Sequence, residues 1–336
     1  MKKRDKIDFS ALKAPGSYTS SLDDFTDFLK TVDEAEKKAE ELKEEVSAKK
    51  APAEAETEKS APEETLDELM AKLDSLTGLA EVKENVRSLI NLVKVRKLRE
   101  ENGLPNTEMS LHLVFMGNPG TGKTTVARLI GGLYKAIGVL SKGQLVETDR
   151  AGLVAGYVGQ TAEKTKKVIE SAMGGVLFID EAYALAPANA GIDFGREAIE
   201  TILKAMEDHR DDLVVIAAGY ENEMERFISS NPGLESRFNR YFIFDDYNGE
   251  ELFEIFSSMC AKNRFVLDEE AKEFAAKLFT DLYENRDENF GNARDVRNIF
   301  ENMVSVHSDR IAALQKVDKE TLVTVLEEDV SKAAEM

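Results

Sequence analysis

The 336-residue chain has little cysteine, little histidine and no long apolar run. Its single cysteine, Cys260, cannot form an intramolecular disulfide and is typical of a reducing compartment. Three widely spaced histidines leave few ligands for a zinc site built from histidine and cysteine. No apolar stretch approaches the roughly 20 residues of a membrane-spanning helix, and no apolar segment follows the basic residues of MKKRDKIDFS as it would in a secretory signal. We therefore expect a cytoplasmic protein with no membrane partner.

Basic side chains are outnumbered by acidic ones. The chain has 64 acidic and 44 basic residues, a formal net charge of −20. Residues 1–70 carry 19 acidic and 12 basic side chains, a net of −7, which leaves −13 for the rest. A protein that binds a nucleic-acid backbone usually presents a basic face to the phosphates. Nucleic acid is therefore a disfavoured partner, although a local basic patch would be compatible with this total.

The first 65 residues differ in composition from the rest. Residues 31–70 contain 14 acidic and 6 basic side chains and no aromatic residue. Such a segment cannot bury enough apolar surface to offset its chain entropy. We expect residues 1–65 to form a charged extension, either a linker or a solvated helix. Leu22, Phe25 and Phe28 could form the apolar face of a helix that packs on its own protein or docks a partner.

From Thr65 onward the pattern becomes regular. Thr65 and Glu68 have the spacing of a capping box at a helix start, and a second helix is predicted from about Leu79 to Glu101. Apolar strands then alternate with helical segments, which is typical of a mainly parallel sheet with helices on both faces. The predicted strands are residues 111–117, 144–149, 175–180, 213–219 and 241–244. Only helices are predicted after Asp246. The expected domains are an α/β domain over residues 66–246 and an all-helical domain over residues 247–330.

A glycine-rich segment, GNPGTGKTT, follows the first predicted strand and opens a helix. It matches the pattern G-x-x-x-x-G-K-[ST], in which glycines let successive backbone N–H groups cradle a polyphosphate. Lys123 would reach the outer phosphates, and the Thr124 hydroxyl would bind Mg²⁺. The sequence thus predicts a site for ATP and Mg²⁺. Its predicted phosphate-loop residues are Gly117, Asn118, Pro119, Gly120, Thr121, Gly122, Lys123, Thr124 and Thr125.

A second signal is the acidic pair Asp180–Glu181 at the end of the predicted strand GVLFID. In open α/β sheets the carboxyl ends of the strands border the ligand site. Asp180 is predicted to hold Mg²⁺ and Glu181 to polarise the attacking water. An acidic pair alone is more often a solvated strand end, so this interpretation depends on the phosphate loop. A GTPase is disfavoured because no NKxD-type segment for reading guanine is present.

These motifs together resemble those of an AAA+ ATPase. Six segments resemble in particular the group of CbbX (red-type Rubisco activase) and stage V sporulation protein K, over about residues 66–330. The segments are TGLAEVKENV, AGYVGQTAEKT, GGVLFIDEAYAL, DDLVVIAAGY, NPGLESRFNR and GNARDVRN. The resemblance implies a P-loop NTPase domain followed by a small helical lid. It does not extend to the first 65 residues.

The resemblance also implies roles for individual residues. Arg237, and secondly Arg240, would be arginine fingers that reach the nucleotide of a neighbouring subunit, although a surface ion pair is the simpler alternative. Arg294 matches the lid arginine called sensor 2, whose alternative role is a salt bridge at a helix start. Tyr220 stands where sensor 1 is often Asn or Thr. Gly78 and Leu79 would cover the adenine.

The segment Tyr157–Val158–Gly159 has the form of a central pore loop, in which an aromatic side chain grips an extended peptide. Its alternative is a tyrosine packed in a turn. The resemblance implies a homo-oligomeric ring, expected to be a hexamer, that remodels an unidentified protein client. Two other hypotheses stay open: a nucleic-acid motor or loader, and a scaffold that binds ATP with little turnover. The sequence identifies neither the client nor any sugar-phosphate effector.

Overall fold

The structure is a computed structural model that describes residues 64–106, 109–157, 159–187, 194–287 and 290–336. The predicted charged extension therefore lies outside the described residues, apart from its last two positions. Helix α1 (Leu66–Asp74) begins at the predicted capping box. The Glu68 carboxylate accepts from the Thr65 N–H at 2.8 Å, and the Thr65 hydroxyl accepts from the Glu68 N–H at 3.3 Å. Helix α2 (Ala80–Glu101) follows, as predicted.

A five-stranded sheet forms the middle layer of the α/β domain, and all of its strands are parallel. Each lies within one of the five predicted apolar segments, so those predictions are confirmed. The strands are β1 (Leu113–Gly117), β2 (Leu145–Thr148), β3 (Val176–Ile179), β4 (Val214–Gly219) and β5 (Tyr241–Phe244). Their spatial order is β2-β3-β4-β1-β5. The central position of β1 brings the phosphate loop at its carboxyl end next to the ends of β4 and β5.

Helices cover both faces of this sheet. They are α3 (Lys123–Ala136), α4 (Arg150–Leu153), α5 (Thr161–Ala172), α6 (Gly195–Asp208), α7 (Glu221–Ser229) and α8 (Pro232–Arg237), with a 3₁₀ helix at Ala182–Leu185. Alternate residues of β1 enter different cores, because successive side chains of a strand point to opposite faces. Phe115 packs with α2 and α3, whereas Val114 packs with α5 and α6. The predicted three-layer fold is confirmed.

The C-terminal part is mainly helical and has a separate apolar core. Its helices are α9 (Gly249–Lys262), α10 (Glu269–Glu284), α11 (Ala293–Ala312), α12 (Lys319–Val323) and α13 (Glu327–Ala334). Phe256 stands at the centre of this core, with ring centroids 5.3 Å from Phe279 and 6.3 Å from Phe300. None of the described helices has the length and apolar character needed to cross a membrane.

The prediction that no strand follows Asp246 is wrong in one detail. Two-residue strands β6 (Val266–Leu267) and β7 (Thr324–Val325) pair in parallel within the lid. Strands are usually three to ten residues long, so a two-residue pairing leaves no alternation that a sequence pattern could reveal. It ties the start of α10 to the start of α13, because the Asp268 N–H also donates to the Val325 carbonyl at 3.1 Å.

Candidate nucleotide-binding site

The predicted phosphate loop connects the carboxyl end of β1 to the first turn of α3. The Thr121 hydroxyl donates to the Asn118 carbonyl at 2.8 Å and closes the loop on itself. The Lys123 ammonium donates to the carbonyls of Gly117 at 2.8 Å and Asn118 at 2.7 Å. Gly122 is the residue before α3, so the positive end of this helix faces the loop. Strand, loop and helix are thus arranged as a phosphate cradle requires.

A cavity of about 500 Å³ opens over this loop, within the size range of small-molecule sites. Its walls come from the loop, the ends of β3 and β4, the α1–α2 connection and the lid. Predicted site residues in its lining are Leu79, Gly117, Pro119, Gly120, Gly122, Lys123, Thr124, Thr125, Asp180, Glu181, Tyr220 and Arg294. The structure therefore gathers most of the predicted nucleotide site around one cavity.

Gly120 is the point of closest approach between the phosphate loop and the lid. Its φ is +72°, and a Cβ built there would lie 2.0 Å from the Gly291 carbonyl oxygen. The Ala293 N–H donates to the Gly120 carbonyl at 3.2 Å across the same contact. Because only glycine fits in this space, the loop and the start of α11 form a direct backbone contact. That contact places Arg294 at the edge of the phosphate loop.

The site is electrostatically suited to an anion. The pKa of Lys123 is lowered to about 8, chiefly by burial; the Asp180 carboxylate opposes this shift, the nearby Arg294 guanidinium contributes to it, and Asp246 opposes it. Two cations that share a partly buried cavity repel each other. A polyphosphate would relieve this repulsion, so the charges of the cavity match the ligand that the loop predicts.

The acidic pair lies at the carboxyl end of β3, as predicted. Glu181 has the left-handed backbone conformation, with φ 47° and ψ 44°. Its N–H donates to the Asp180 carboxylate at 3.1 Å, and its carbonyl accepts from the Ala184 N–H at 2.8 Å. This turn places both side chains in the cavity lining. Strain of this kind, about 1–3 kcal/mol for a non-glycine residue, is characteristic of functional sites.

The residues present fit Mg²⁺. No three His, Cys, Asp or Glu side chains cluster as ligands within the described residues. Mg²⁺ does not need such a cage, because it is usually held by one or two carboxylates together with substrate phosphates and water. The Asp180 carboxylate and the Thr124 hydroxyl line one cavity beside the phosphate loop and supply oxygen ligands of this kind.

Tyr220 directly follows β4 and lines the cavity. A residue in the role of sensor 1 would need this position. Its ring centroid is 6.1 Å from that of Tyr183, with the planes tilted by 44°. Burial raises the pKa of Tyr183 to about 12, and the carboxylate of Glu181 adds to this shift. A pair of tyrosine rings therefore stands next to the predicted base.

Gly78 and Leu79, which the resemblance assigns to the adenine, lie in the connection between α1 and α2. Gly78 and Leu79 both have positive φ, 59° and 56°, and Leu79 lines the cavity. The lid supplies the opposite wall from one face of α9, a feature that the sequence analysis missed. Its residues are Ile255, Ser258, Met259 and Lys262, joined by Tyr247 and by Arg297 of α11. The three- and four-residue spacing indicates a helix face, but only the tertiary structure shows what this face borders.

Asn118 and Thr121 do not line the cavity, although both were predicted to contact phosphate. Thr121 is fully buried. The Asn118 side chain turns away from the loop, and its amide donates to the Asp246 carboxylate at 2.9 Å. A phosphate loop binds mainly through backbone N–H groups, so these side chains are free to fix the loop itself.

The two predicted finger arginines lie apart from this cavity. Arg237 ends α8, and its carbonyl accepts from the Ser110 hydroxyl before β1. Its guanidinium forms an ion pair with Glu207 at 3.0 Å, the alternative considered from the sequence. The Arg240 carbonyl accepts from the Val114 N–H at 2.9 Å, and its guanidinium contacts the Met109 sulfur at 3.0 Å. Both arginines therefore border the amino end of β1, opposite the phosphate loop.

The predicted pore-loop residues lie between α4 and α5. Tyr157 is 74% exposed, the most exposed aromatic side chain in the described part of the chain. Gly159 has φ +78°, and a Cβ there would meet no atom within 4 Å. Val158 lies outside the described residues. The alternative of a tyrosine packed in a turn does not agree with the exposure of Tyr157.

Comparison with known families agrees with this geometry. The model described as the ATPase family associated with various cellular activities (AAA) matches residues 113–246. The AAA lid domain matches residues 248–336. Stage V sporulation protein K of Bacillus subtilis (strain 168) is 42% identical over 267 residues, which are 79% of this chain and 83% of that protein. The chain belongs to the AAA family of ATPases.

Other relatives of this ATPase carry different names. Protein CbbX of Cereibacter sphaeroides is 44% identical over 82% of this chain and 88% of its own. The chloroplastic ribulose bisphosphate carboxylase/oxygenase activase of Cyanidioschyzon merolae (strain NIES-3377 / 10D) is 43% identical over 80% of this chain and 92% of its own. These relatives support an ATP-hydrolysing enzyme, as the sequence predicts.

The fold also resembles that of a branch migration motor. The RuvB Holliday junction branch migration motor of Thermotoga maritima superposes with a TM-score of 0.50 at 20% identity. The match covers 81% of this chain and 71% of that one. At this identity the likeness confirms the AAA fold and carries no information on what the ATPase acts on.

Proposed function

We propose that this ATPase assembles into a ring, an expected hexamer, and uses Mg²⁺-dependent ATP hydrolysis to remodel a protein client in the cytoplasm. The motor would consist of an α/β domain over residues 66–246 and a lid over residues 247–330, with residues 1–65 as an extension outside the motor. The observation that carries this proposal is the separation of Glu181 and Arg237, which line opposite ends of the sheet.

When bound, ATP supplies the phosphoanhydride bond that is hydrolysed, and Mg²⁺ would neutralise charge on its phosphates. Thr124 and Asp180 would hold this ion. Lys123 and Arg294 border the same cavity and would stabilise negative charge that develops during hydrolysis. Glu181 would accept a proton from the attacking water, with Tyr220 next to it to orient that water.

A single subunit cannot bring Arg237 to its own phosphate loop. Ser110 contacts Arg237, and Gly117 follows Ser110 by seven positions in the sequence. Seven positions of extended chain span about 20 Å, which separates Arg237 from the phosphate loop. An arginine finger must therefore act on a neighbouring copy, and head-to-tail contacts of this kind close into rings. The ion pair of Arg237 with the exposed Glu207 is no obstacle, because surface pairs contribute only about 0–1 kcal/mol.

Two observations favour a protein client over nucleic acid. Tyr157 offers an exposed aromatic side chain on a loop with an open, left-handed glycine two residues later. Such a side chain can contact an extended peptide of any sequence, whereas a nucleic-acid motor needs a basic inner surface. The net charge of −20 is opposed to that need. The names of the relatives include a Rubisco activase and a sporulation protein, so the client itself stays unassigned.

Complementation between two inactive variants tests the ring. Glu181→Gln removes the proposed base, and Arg237→Ala removes the proposed finger; each alone should reduce ATP turnover by at least about 100-fold. In an equimolar mixture, about a quarter of the head-to-tail interfaces pair an intact Glu181 with an intact Arg237. We expect turnover to recover to about that fraction of the wild-type rate.

A matched control pairs Glu181→Gln with Lys123→Ala. Both residues belong to the part of the site that one subunit supplies itself. Every subunit in this mixture therefore lacks either Glu181 or Lys123, and the mixture should stay inactive. If the Glu181→Gln and Arg237→Ala mixture is equally inactive at concentrations where the wild type turns over, Arg237 is not supplied by a neighbour. The ring proposal would then be wrong.

A further inference from the structure

The lid contacts the phosphate loop through a polar cluster in which Asn292 is buried, Asp246 is half-buried and Asn118 is exposed. We call Asn118, Asp246 and Asn292 the hinge clasp. The Asp246 carboxylate oxygen Oδ1 accepts from the Asn118 amide at 2.9 Å and from the Asn292 amide at 2.8 Å. Asp246 stands two residues after the end of β5, Asn118 belongs to the loop, and Asn292 precedes α11. Three separate chain segments thus meet at one carboxylate.

Asn292 uses its whole side chain in this contact. It is fully buried, and besides Asp246 its amide nitrogen approaches the Pro119 carbonyl at 3.3 Å. Its amide oxygen accepts from the Tyr247 N–H at 2.9 Å. A hydroxyl cannot span these partners, and a carboxylate cannot donate to two of them. Asparagine is therefore chemically specific here.

Helix capping does not account for Asn292. Asparagine is a common N-cap, whose side chain normally accepts from an N–H in the first turn of its own helix. Here Asn292 makes no side-chain cap bond to α11. The carboxylate of Asp295 accepts from the Gly291 N–H at 2.7 Å instead. The side chain of Asn292 is thus directed to the loop and the hinge.

Asn292 also adopts a backbone conformation that disfavours any side chain. Its φ is 53° and its ψ is −128°. Glycine would adopt this conformation without strain, yet asparagine occupies it, at a cost of about 1–3 kcal/mol. The side-chain bonds must offset this cost. The result is a fixed turn in which the Ala293 N–H contacts Gly120 and the next residue is Arg294.

The hinge clasp opposes the repulsion between two positive charges in the nucleotide cavity. Lys123 and Arg294 line one cavity, and two like charges there favour an outward movement of the lid. Asp246 supplies compensating negative charge at the hinge, with Arg286 3.6 Å from its second carboxylate oxygen. Its side chain is 19% exposed, so solvent screens these interactions only in part.

We propose that Asn292 is a positioning residue: through Asp246 and the Pro119 carbonyl it holds Arg294 against the phosphate loop, so that the lid responds to the outermost phosphate of ATP. This inference rests on the proposed role of Arg294 as a phosphate contact. It predicts that loss of the hinge clasp mimics loss of Arg294, although Asn292 itself touches no nucleotide.

The test compares the affinities of full-length protein variants for ATP and ADP by calorimetry with Mg²⁺ present. Asn292→Gly removes the side chain and tolerates the backbone conformation. We expect it to lower the preference for ATP over ADP about tenfold, the effect of losing one to two buried hydrogen bonds. Arg294→Ala should lower the same ratio, and the double variant should be no worse than Arg294→Ala alone. Asp246→Ala provides a second way to open the hinge clasp.

Asn302→Ala is the matched control. Its amide lies in α11 and donates to the Ala333 carbonyl at 3.2 Å within the lid, so it should leave the ratio unchanged. Amide hydrogen exchange at Ala293 and Arg294, measured without nucleotide, should become faster in Asn292→Gly and stay unchanged in Asn302→Ala. This second readout requires neither hydrolysis nor ligand.

The outcomes are distinguishable. An unchanged ATP/ADP ratio or unchanged amide exchange in Asn292→Gly would overturn the positioning role, as would effects that add to those of Arg294→Ala. If Arg294→Ala itself leaves the ratio unchanged, Arg294 reads no phosphate and the inference also fails. A wild-type protein that binds ATP without turnover would contradict the proposed function, while the affinity ratio would still test the hinge clasp.

Discussion

Two glycines of this ATPase have nearly the same positive φ and different surroundings. Alanine substitution at both positions therefore tests the contact between the phosphate loop and the lid. Gly120 has φ +72° and Gly103 has φ +69°. Alanine in this left-handed region costs roughly 1–2 kcal/mol at either position. A Cβ at Gly103 meets nothing within 4 Å, whereas at Gly120 it would lie 2.0 Å from the Gly291 oxygen and 2.9 Å from the Arg294 nitrogen.

The size of the effect follows from these distances. A carbon and a carbonyl oxygen rarely approach closer than about 3.3 Å, so Gly120→Ala requires a displacement of about 1 Å or more. The opposing atoms are backbone, and no side-chain rotation can relieve the contact. A misplacement of about 1 Å in a catalytic site can lower the rate on the order of 100-fold. We therefore expect Gly120→Ala to lose about 100-fold in ATP turnover and Gly103→Ala to stay within about twofold of the wild type.

The assay is steady-state ATP turnover for both variants at one protein concentration, together with thermal unfolding. Gly120→Ala should lose more thermal stability than Gly103→Ala, because the backbone strain is the same in both variants and only Gly120→Ala adds the clash. If Gly120→Ala then retains the turnover of Gly103→Ala, the loop and lid do not need their direct contact. The account of how Arg294 is held in place would be refuted by that result.

Two further predictions concern other parts of the chain. Tyr157→Ala should lose most of any stimulation of ATP turnover by an unfolded polypeptide (casein). Tyr157→Phe should retain the stimulation, and so should Leu98→Ala, which truncates another exposed side chain (56% exposed) in helix α2. Burial lowers the pKa of His112 to about 4, below the ordinary value of about 6.5. His112 therefore takes up a proton in the unfolded chain before it does so in the folded protein as pH falls. The free energy of unfolding, measured with urea, should fall by about 2 kcal/mol between pH 7.5 and pH 5. This fall should be absent in His112→Gln and retained in the control His209→Gln, which changes an exposed histidine.

The sequence predicted what depends on local chemistry. Apolar runs bounded by turn residues specify strands, because a parallel sheet buries both faces of each strand. The glycine pattern before Lys123 specifies a phosphate loop for equally local reasons, and Asp180 follows its strand directly. All of these positions meet at one edge of the sheet. The connectivity of alternating strands and helices makes this outcome a consequence of the topology.

What the sequence could not predict are the partners that come from distant segments. Asn118 matches a variable position of the phosphate-loop pattern, so nothing in it indicates a bond to Asp246, 128 residues later. The face of α9 that borders the cavity has the periodicity of any amphipathic helix. Likewise, Glu207 is one of many acidic residues on helix surfaces, and only the packing of α8 against α6 brings Arg237 to it. Such contacts depend on how the lid and the helices pack.

Backbone strain shows where these distant contacts matter most. Among the described residues, the non-glycine positions with positive φ are Leu79, Glu181, Arg264 and Asn292. Three of them border the nucleotide cavity or the turn that closes it, one each from the α1–α2 connection, the end of β3 and the lid. Local preference disfavours every one of these conformations, so tertiary contacts must hold them. A cavity whose walls come from three segments in strained conformations is sensitive to any shift between those segments. That sensitivity is what an ATPase needs if events at the phosphate loop are to move its lid.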